Sequence, residues 1–142
     1  MVVTQQETFF DALLIIGRWL GMSRSVATVF AVLYDQTKPY TVDELASASG
    51  LSKSAVSLAL RDLLQFGAVQ ELSPVGERSR RYSGQSDLAQ TVKQLILSRV
   101  VDTLDEFRTC IESTPESHRR TQQARDLLAT FEQVVAAINT KH

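Results

Sequence analysis

The sequence predicts a mainly α-helical chain that carries one small β-hairpin. Three observations lead there. Apolar residues recur at three- and four-residue steps through most of the 142 positions, the spacing of a buried helical stripe. Helix-start signals precede nearly every such stretch. One segment, "AVQELSPVGERSRRYSG" at 68–84, departs from this, with Val69, Leu72 and Tyr82 set around Pro74 and Gly76 as two short strands and a loop.

Taken in order, the helices are expected at 4–20, 24–35, 41–48, 53–66, 86–112 and 115–139. Thr4 with Glu7, and Thr41 with Glu44, fit a capping box, in which each side chain satisfies the other residue's free amide. Ser23 suits the cap of a helix running to about Tyr34, and Ser52 the cap of the next but one. Gly67 suits a left-handed stop before the hairpin. Thr114 followed by Pro115 marks the last start, because proline at the first helical position loses no needed hydrogen bond. No internal repeat and no low-complexity linker is visible.

Composition narrows the class. Hydrophobic residues make up 44% and charged residues 22%, so a core of useful size needs no metal or disulfide staple. The single cysteine, Cys110, rules out an intrachain disulfide and points to a reducing cytoplasm. The most apolar stretch, "FFDALLIIGRWL" at 9–20, is interrupted by Asp11 and Arg18 and falls short of the roughly 20 residues a bilayer span needs. "MVVTQQE" lacks the basic region of a signal peptide. No membrane role is expected.

The informative stretch is "SGLSKSAVSLALRD", 49–62. Val56, Ala59, Leu60 and Leu63 form its buried stripe, whereas Ser54, Ser57, Leu58 and Arg61 lie on the other side. A short helix, a turn at Gly50 that needs a positive φ, and a second helix capped by Ser52 form a helix-turn-helix; a hairpin directly after it makes it winged. In that arrangement the second helix lies in the major groove of double-stranded DNA. Ser52, Ser54 and Ser57 are short hydrogen-bonding groups for bases or phosphates, and Lys53 reaches the backbone. Arg61 can meet a phosphate or pair with guanine, and Leu58 suits a thymine methyl. The hairpin adds Arg78, Arg80 and Arg81, with Arg78 placed for the minor groove. Residues 50–84 hold these five cations (Lys53, Arg61, Arg78, Arg80, Arg81) against Asp62, Glu71 and Glu77, a local charge of +2; the whole chain carries −1, so the remainder carries −3. Positive charge is gathered where a duplex would lie. The competing reading is a winged-helix module that binds protein instead.

These residues also resemble a known family. "GMSRSVATVFAVLYDQTKPYTVDELASASGLSKSAVSLALRDLLQFGAVQ", followed by "GERSRRY", is similar to the GbsR-like branch of MarR-type transcriptional regulators. The marks are Gly21, Arg24 and Ser25 before the domain, the "DELA" helix, the "LSKSAVSLALRDL" helix and the Gly-Glu-Arg of the wing. The resemblance covers about 20–84. It implies a homodimer reading a near-palindromic operator, with DNA contacts at Lys53, Ser54, Ser57, Arg61 and Arg78. The expected organisation is an N-terminal dimerisation helix at 1–20, a DNA-binding domain at 21–84 and C-terminal dimerisation helices at 85–142. Long stripes (Val100, Leu104, Phe107, Ile111; Ala124, Leu127, Phe131, Val134, Ile138) call for a second copy of the chain to cover them.

Other chemistry finds little support. The histidines are His118 and His142, too few with one cysteine for the usual zinc sets, and no catalytic constellation or cofactor motif appears. "SHRR" at 117–120 reads as a solvated face near a helix start. Cys110, between Phe107 and Ile111, reads as a buried structural thiol rather than a redox sensor. No effector is named by the residues. Some relatives of the branch sense choline-like osmolytes, but a quaternary ammonium needs an aromatic cage, and Trp19, Phe30 and Tyr34 sit at core spacing.

Overall fold

The computed structural model describes residues 8–73 and 79–140. In chain order it contains α1 (Phe9–Trp19), α2 (Arg24–Asp35), α3 (Val42–Ser49), α4 (Lys53–Gln65), β1 (Val69–Leu72), β2 (Arg81–Gly84), α5 (Leu88–Glu112) and α6 (Thr121–Thr140). The chain divides within α5 into two compact units, one reaching Val92 and one beginning at Lys93.

In the first unit α2 is apolar nearly all round, and a helix of that kind has to be enclosed. Val26, Ala27, Val29, Phe30, Ala31, Val32 and Leu33 are all buried. Around them pack α1, α3, α4 and β2. Leu45 of α3 and Val56, Ala59, Leu60 and Leu63 of α4 complete the core.

The helix ends follow side-chain chemistry. Ser23 caps α2, accepting the Val26 N–H at 3.3 Å. The Thr41–Glu44 capping box opens α3 as expected. The box at the head of α1 is made by Thr8 and Asp11, so the helix starts at Phe9 rather than at residue 4. Thr4 and Glu7 lie outside the described residues. The correction has a simple cause: Thr8 offers the same spacing as Thr4 and stands directly before the apolar run. Gly67, at φ 74°, ends α4 in a Schellman turn: its N–H donates to the Leu64 carbonyl at 3.1 Å, and the Ala68 N–H donates to Leu63 at 2.9 Å.

β1 and β2 pair antiparallel in the register Val69↔Gly84, Gln70↔Ser83, Glu71↔Tyr82 and Leu72↔Arg81. Tyr40, between α2 and α3, adds a bridge to Tyr82 through two backbone hydrogen bonds of 2.8 Å. Tyr34 ties the root of this wing together. Its hydroxyl donates to the Ala68 carbonyl at 2.5 Å and accepts the Gln85 N–H at 2.9 Å. Its ring lies so close to Gly84 that a Cβ there would stand 2.8 Å from it. The expected core role holds for Phe30, which is fully buried, and for Tyr34, half-buried with their ring centroids 4.9 Å apart. It fails for Trp19, which is 63% exposed because α1 turns Leu13 and Gly17 inward instead.

In the second unit α6 begins at Thr121, not at Pro115. Residues 115–120 form consecutive turns: the His118 N–H donates to the Pro115 carbonyl at 3.0 Å, and the Thr121 N–H donates to His118 at 3.2 Å. Thr121 Oγ1 also donates to the Pro115 carbonyl at 3.0 Å, which closes the loop before any helix continues from it. Phe107 and Phe131 meet edge to face at 6.1 Å, and Arg108 reaches Asp105 at 2.9 Å and Glu132 at 3.6 Å. Leu127, Phe131 and Val134 nevertheless stay exposed. Cys110 is exposed as well, which corrects the buried-thiol expectation: the neighbours Phe107 and Ile111 are only half-buried themselves.

Tyr34→Phe removes both hydroxyl bonds and leaves a carbonyl and an amide at the wing root without that partner. We expect a loss of roughly 1–3 kcal/mol in urea-unfolding stability. A loss below a few tenths would show that the hydroxyl does not tie the wing.

Candidate nucleic-acid interface

The physical reason for two faces on α4 is its packing on α2 and α3. With Val56, Ala59, Leu60 and Leu63 buried, the residues one position round the helix are driven out to water. Ser54, Ser57, Leu58 and Arg61 are all exposed and recur at steps of three, one and three, so they share one outward line. Leu58 is 56% exposed. Ser52 performs the cap, its hydroxyl oxygen accepting the Ala55 N–H at 3.1 Å. The turn that sets α4 against α3 is Gly50 at φ 75°, whose N–H donates to the Ala46 carbonyl at 3.0 Å. Ser49 Oγ braces the same turn, donating to the Leu45 carbonyl at 2.6 Å and accepting the Leu51 N–H at 3.2 Å.

The cations are placed differently from one another. Arg61 is exposed and has no ion-pair partner among the described residues. Lys53 pairs with Asp43 of α3 at 3.1 Å, and Arg80 pairs with Glu71 across the hairpin at 3.2 Å. Both cation side chains are about 70% exposed, so water screens these pairs; each is worth at most about 1 kcal/mol and can be exchanged for a phosphate. Arg81 is different: its side chain is only 32% exposed, and Nη1 lies 3.1 Å from Glu44 Oε1. Arg78 lies outside the described residues.

Glu44 is therefore held from two sides. Its Oε1 accepts the Thr41 N–H at 3.1 Å and also meets Arg81. The hydrogen bonds from the Thr41 backbone and side chain, then the charges of Arg81 and Lys38, hold its carboxyl below the ordinary value of 4.5. Lys38 Nζ also lies over the Tyr40 ring, 5.0 Å from its centre.

Sequence reasoning places Ser52, Lys53, Ser54, Ser57, Leu58 and Arg61 together, and the structure brings all six onto one end and one side of α4. Three features escape it: the Tyr40 bridge, the Tyr34 clamp and the Glu44–Arg81 pair. "KPY" carried a signal for the first, since proline pushes its neighbourhood towards extended backbone and tyrosine favours strands. Nothing in the spacing marks the other two. Among the described residues no helix is long and apolar enough to cross a membrane, and no cluster of three or more His, Cys, Asp or Glu stands ready to hold a metal.

Comparison with known proteins agrees with this geometry. A crystal structure of a transcriptional regulator superposes with a TM-score of 0.67 at 22% identity, covering 93% of this chain and 94% of the other. The chain has the winged helix-turn-helix fold. Over 71 residues, half of the chain, it is 32% identical to YvaV and 31% identical to the HTH-type transcriptional repressor OpcR, both of Bacillus subtilis (strain 168). The matches span 40% and 38% of those proteins, so the chain spans about two fifths of the length of these two relatives. No family model matches it.

The Glu44 geometry gives a pH dependence with a definite sign. A carboxyl held below its ordinary value adds stability above that value and loses it as pH falls through the folded-state value. The gap in melting temperature between the wild type and Glu44→Gln should thus be constant well above the ordinary value of 4.5 and narrow as pH falls below it. A gap that widens on acidification would refute the assignment.

Proposed function

We propose that the chain is a dimeric, sequence-specific DNA-binding transcriptional regulator of the MarR type, with the GbsR-like features set by Gly21, Arg24 and Ser25, and that it acts as a repressor in the cytoplasm. The observation that carries this reading is the open outward line of α4. A row of two serines, a leucine and an arginine with no ion-pair partner among the described residues lies exposed, and matches what a base edge offers. The similarity to OpcR, named as a repressor, supports repression by occupying a promoter.

In this reading α4 enters the major groove N-terminal end first. Arg61 pairs with guanine through two parallel hydrogen bonds or meets a phosphate, and Leu58 covers a thymine methyl. Ser54 and Ser57 bond base edges or phosphates. Lys53 leaves Asp43 for a phosphate, and Ser52 offers its hydroxyl beside it. The wing grips the neighbouring strand with Arg80 and, from the loop, Arg78.

Two-fold symmetry supplies the second half-site. Phe9, Ile15 and Trp19 are exposed on α1, and Leu127, Phe131 and Val134 are exposed on α6. Large apolar side chains left in water suit an interface, and a second copy of the chain is the occupant a palindromic operator calls for. Dimer geometry then has to set the two α4 helices about 34–36 Å apart, or a multiple of it.

The test is a salt series on a duplex selected from a random-sequence library. Affinity should fall linearly on a log–log scale, with a slope of about −0.9 per neutralised phosphate. A protein-binding module would show no such slope. Arg61→Ala should cost roughly 1–3 kcal/mol of binding and relax discrimination at one base position. A folded Arg61→Ala protein with wild-type affinity would exclude the assigned contact. Phe131→Glu places a charge on the α6 stripe and should shift sedimentation from dimer to monomer; an unchanged dimer would put the interface elsewhere.

A further inference from the structure

We infer that Glu44 and Arg81 are positioning residues for DNA binding: their ion pair sets the attitude of the wing relative to the helix-turn-helix, and Arg81 is not itself a contact to the duplex. The inference rests on the DNA-binding reading above.

A two-stranded hairpin is marginal alone, so the direction of its cations is decided by what its root is fastened to. Here the root is fastened to α3. The backbone of Tyr82 is bonded both ways to Tyr40, just before the α3 cap. The next residue along, Arg81, then reaches Glu44 at 3.1 Å. Glu44 is a fixed acceptor, because the capping box holds it: the same Oε1 accepts the Thr41 N–H at 3.1 Å, and the Glu44 N–H donates to Thr41 Oγ1 at 3.1 Å. A carboxylate held in place by its own helix end makes a reference point, which a freely rotating one would not. Since α3 also sets α4 through the Gly50 turn, wing and recognition helix share one frame.

Their partners sort the two arginines. Arg81 opens β2 and reaches Glu44 of α3, whereas Arg80, just before the strand, reaches Glu71 of the hairpin itself. Their exposures agree: the Arg80 side chain is 71% exposed and that of Arg81 is 32% exposed. Arg80 is the reader of the pair and Arg81 the brace.

The two roles predict opposite signs for one substitution. Were Arg81 a phosphate contact, Glu44 would compete with DNA for it, and Glu44→Gln would tighten binding. As a brace, Glu44→Gln unseats the wing and weakens binding. Glutamine at this position still serves the capping box, so α3 keeps its start. The probe is the duplex selected by the wild type, titrated at several salt concentrations with unfolding followed in parallel. We expect Glu44→Gln and Arg81→Gln each to weaken binding roughly fivefold, and the double variant to lose little more than either alone. The salt slope of Glu44→Gln should be shallower than that of the wild type although no cation has been removed, because Arg80 loses its phosphate. Binding by Glu44→Gln that equals or exceeds the wild type, with Arg81→Gln impaired, would overturn the inference and make Arg81 a contact. A wild type that selects no duplex and shows no salt-dependent binding would overturn the DNA-binding reading itself, a result distinguishable from the former.

Discussion

The burial of α2 is the constraint on which the first unit depends. Seven of its twelve residues are buried, so no side of the helix can be left to water. Each element around it spends its apolar face there: Leu13 of α1, Leu45 of α3, and the Val56–Leu63 stripe of α4. What each has left to show the solvent is the residue of that requirement. The outward line of α4 is thus a consequence of packing. It is fixed in direction because Leu60 and Leu63 on the other side cannot rotate without leaving the core, where close packing tolerates little displacement.

The wing is held differently. It contributes Ala68, Val69 and Tyr82 to the buried set, too little for two strands to stand alone. Directed polar contacts complete the attachment: the Tyr34 hydroxyl between Ala68 and Gln85, the Tyr40–Tyr82 bridge, and Arg81 on Glu44. Hydrophobic burial is indifferent to direction, whereas hydrogen bonds and ion pairs are not. The second kind therefore fixes the angle of the hairpin against the helices. The exposed pairs of Lys53 and Arg80 hold these side chains loosely, at an energy that a phosphate can match.

The second unit poses the reverse question. Its helices show apolar residues at helical spacing, and Leu104 and the Phe107–Phe131 contact account for part of that pattern. Leu127, Phe131 and Val134 remain in water, together with Cys110. These three apolar residues recur at steps of four and three, so they share one face of α6.

Much was legible in the order of the residues alone. Helix periodicity, the Thr41–Glu44 box, the Ser23 and Ser52 caps, the left-handed Gly50 and Gly67 and the hairpin all depend on neighbours within a few positions, and such local rules can be read along a line. The same local reading slipped where two equivalent signals competed, at Thr4 against Thr8, and where a tertiary turn delayed a helix, at Pro115. Other features belong to the folded chain only. The partners of the Tyr34 hydroxyl lie 34 and 51 positions away, and Glu44 and Arg81 are 37 apart. The exposure of Trp19 and Cys110 depends on which face of a helix the rest of the chain reaches first. Periodicity records that a residue has an apolar or polar side; which distant group meets it is settled when the core closes, because only then are separation and direction defined.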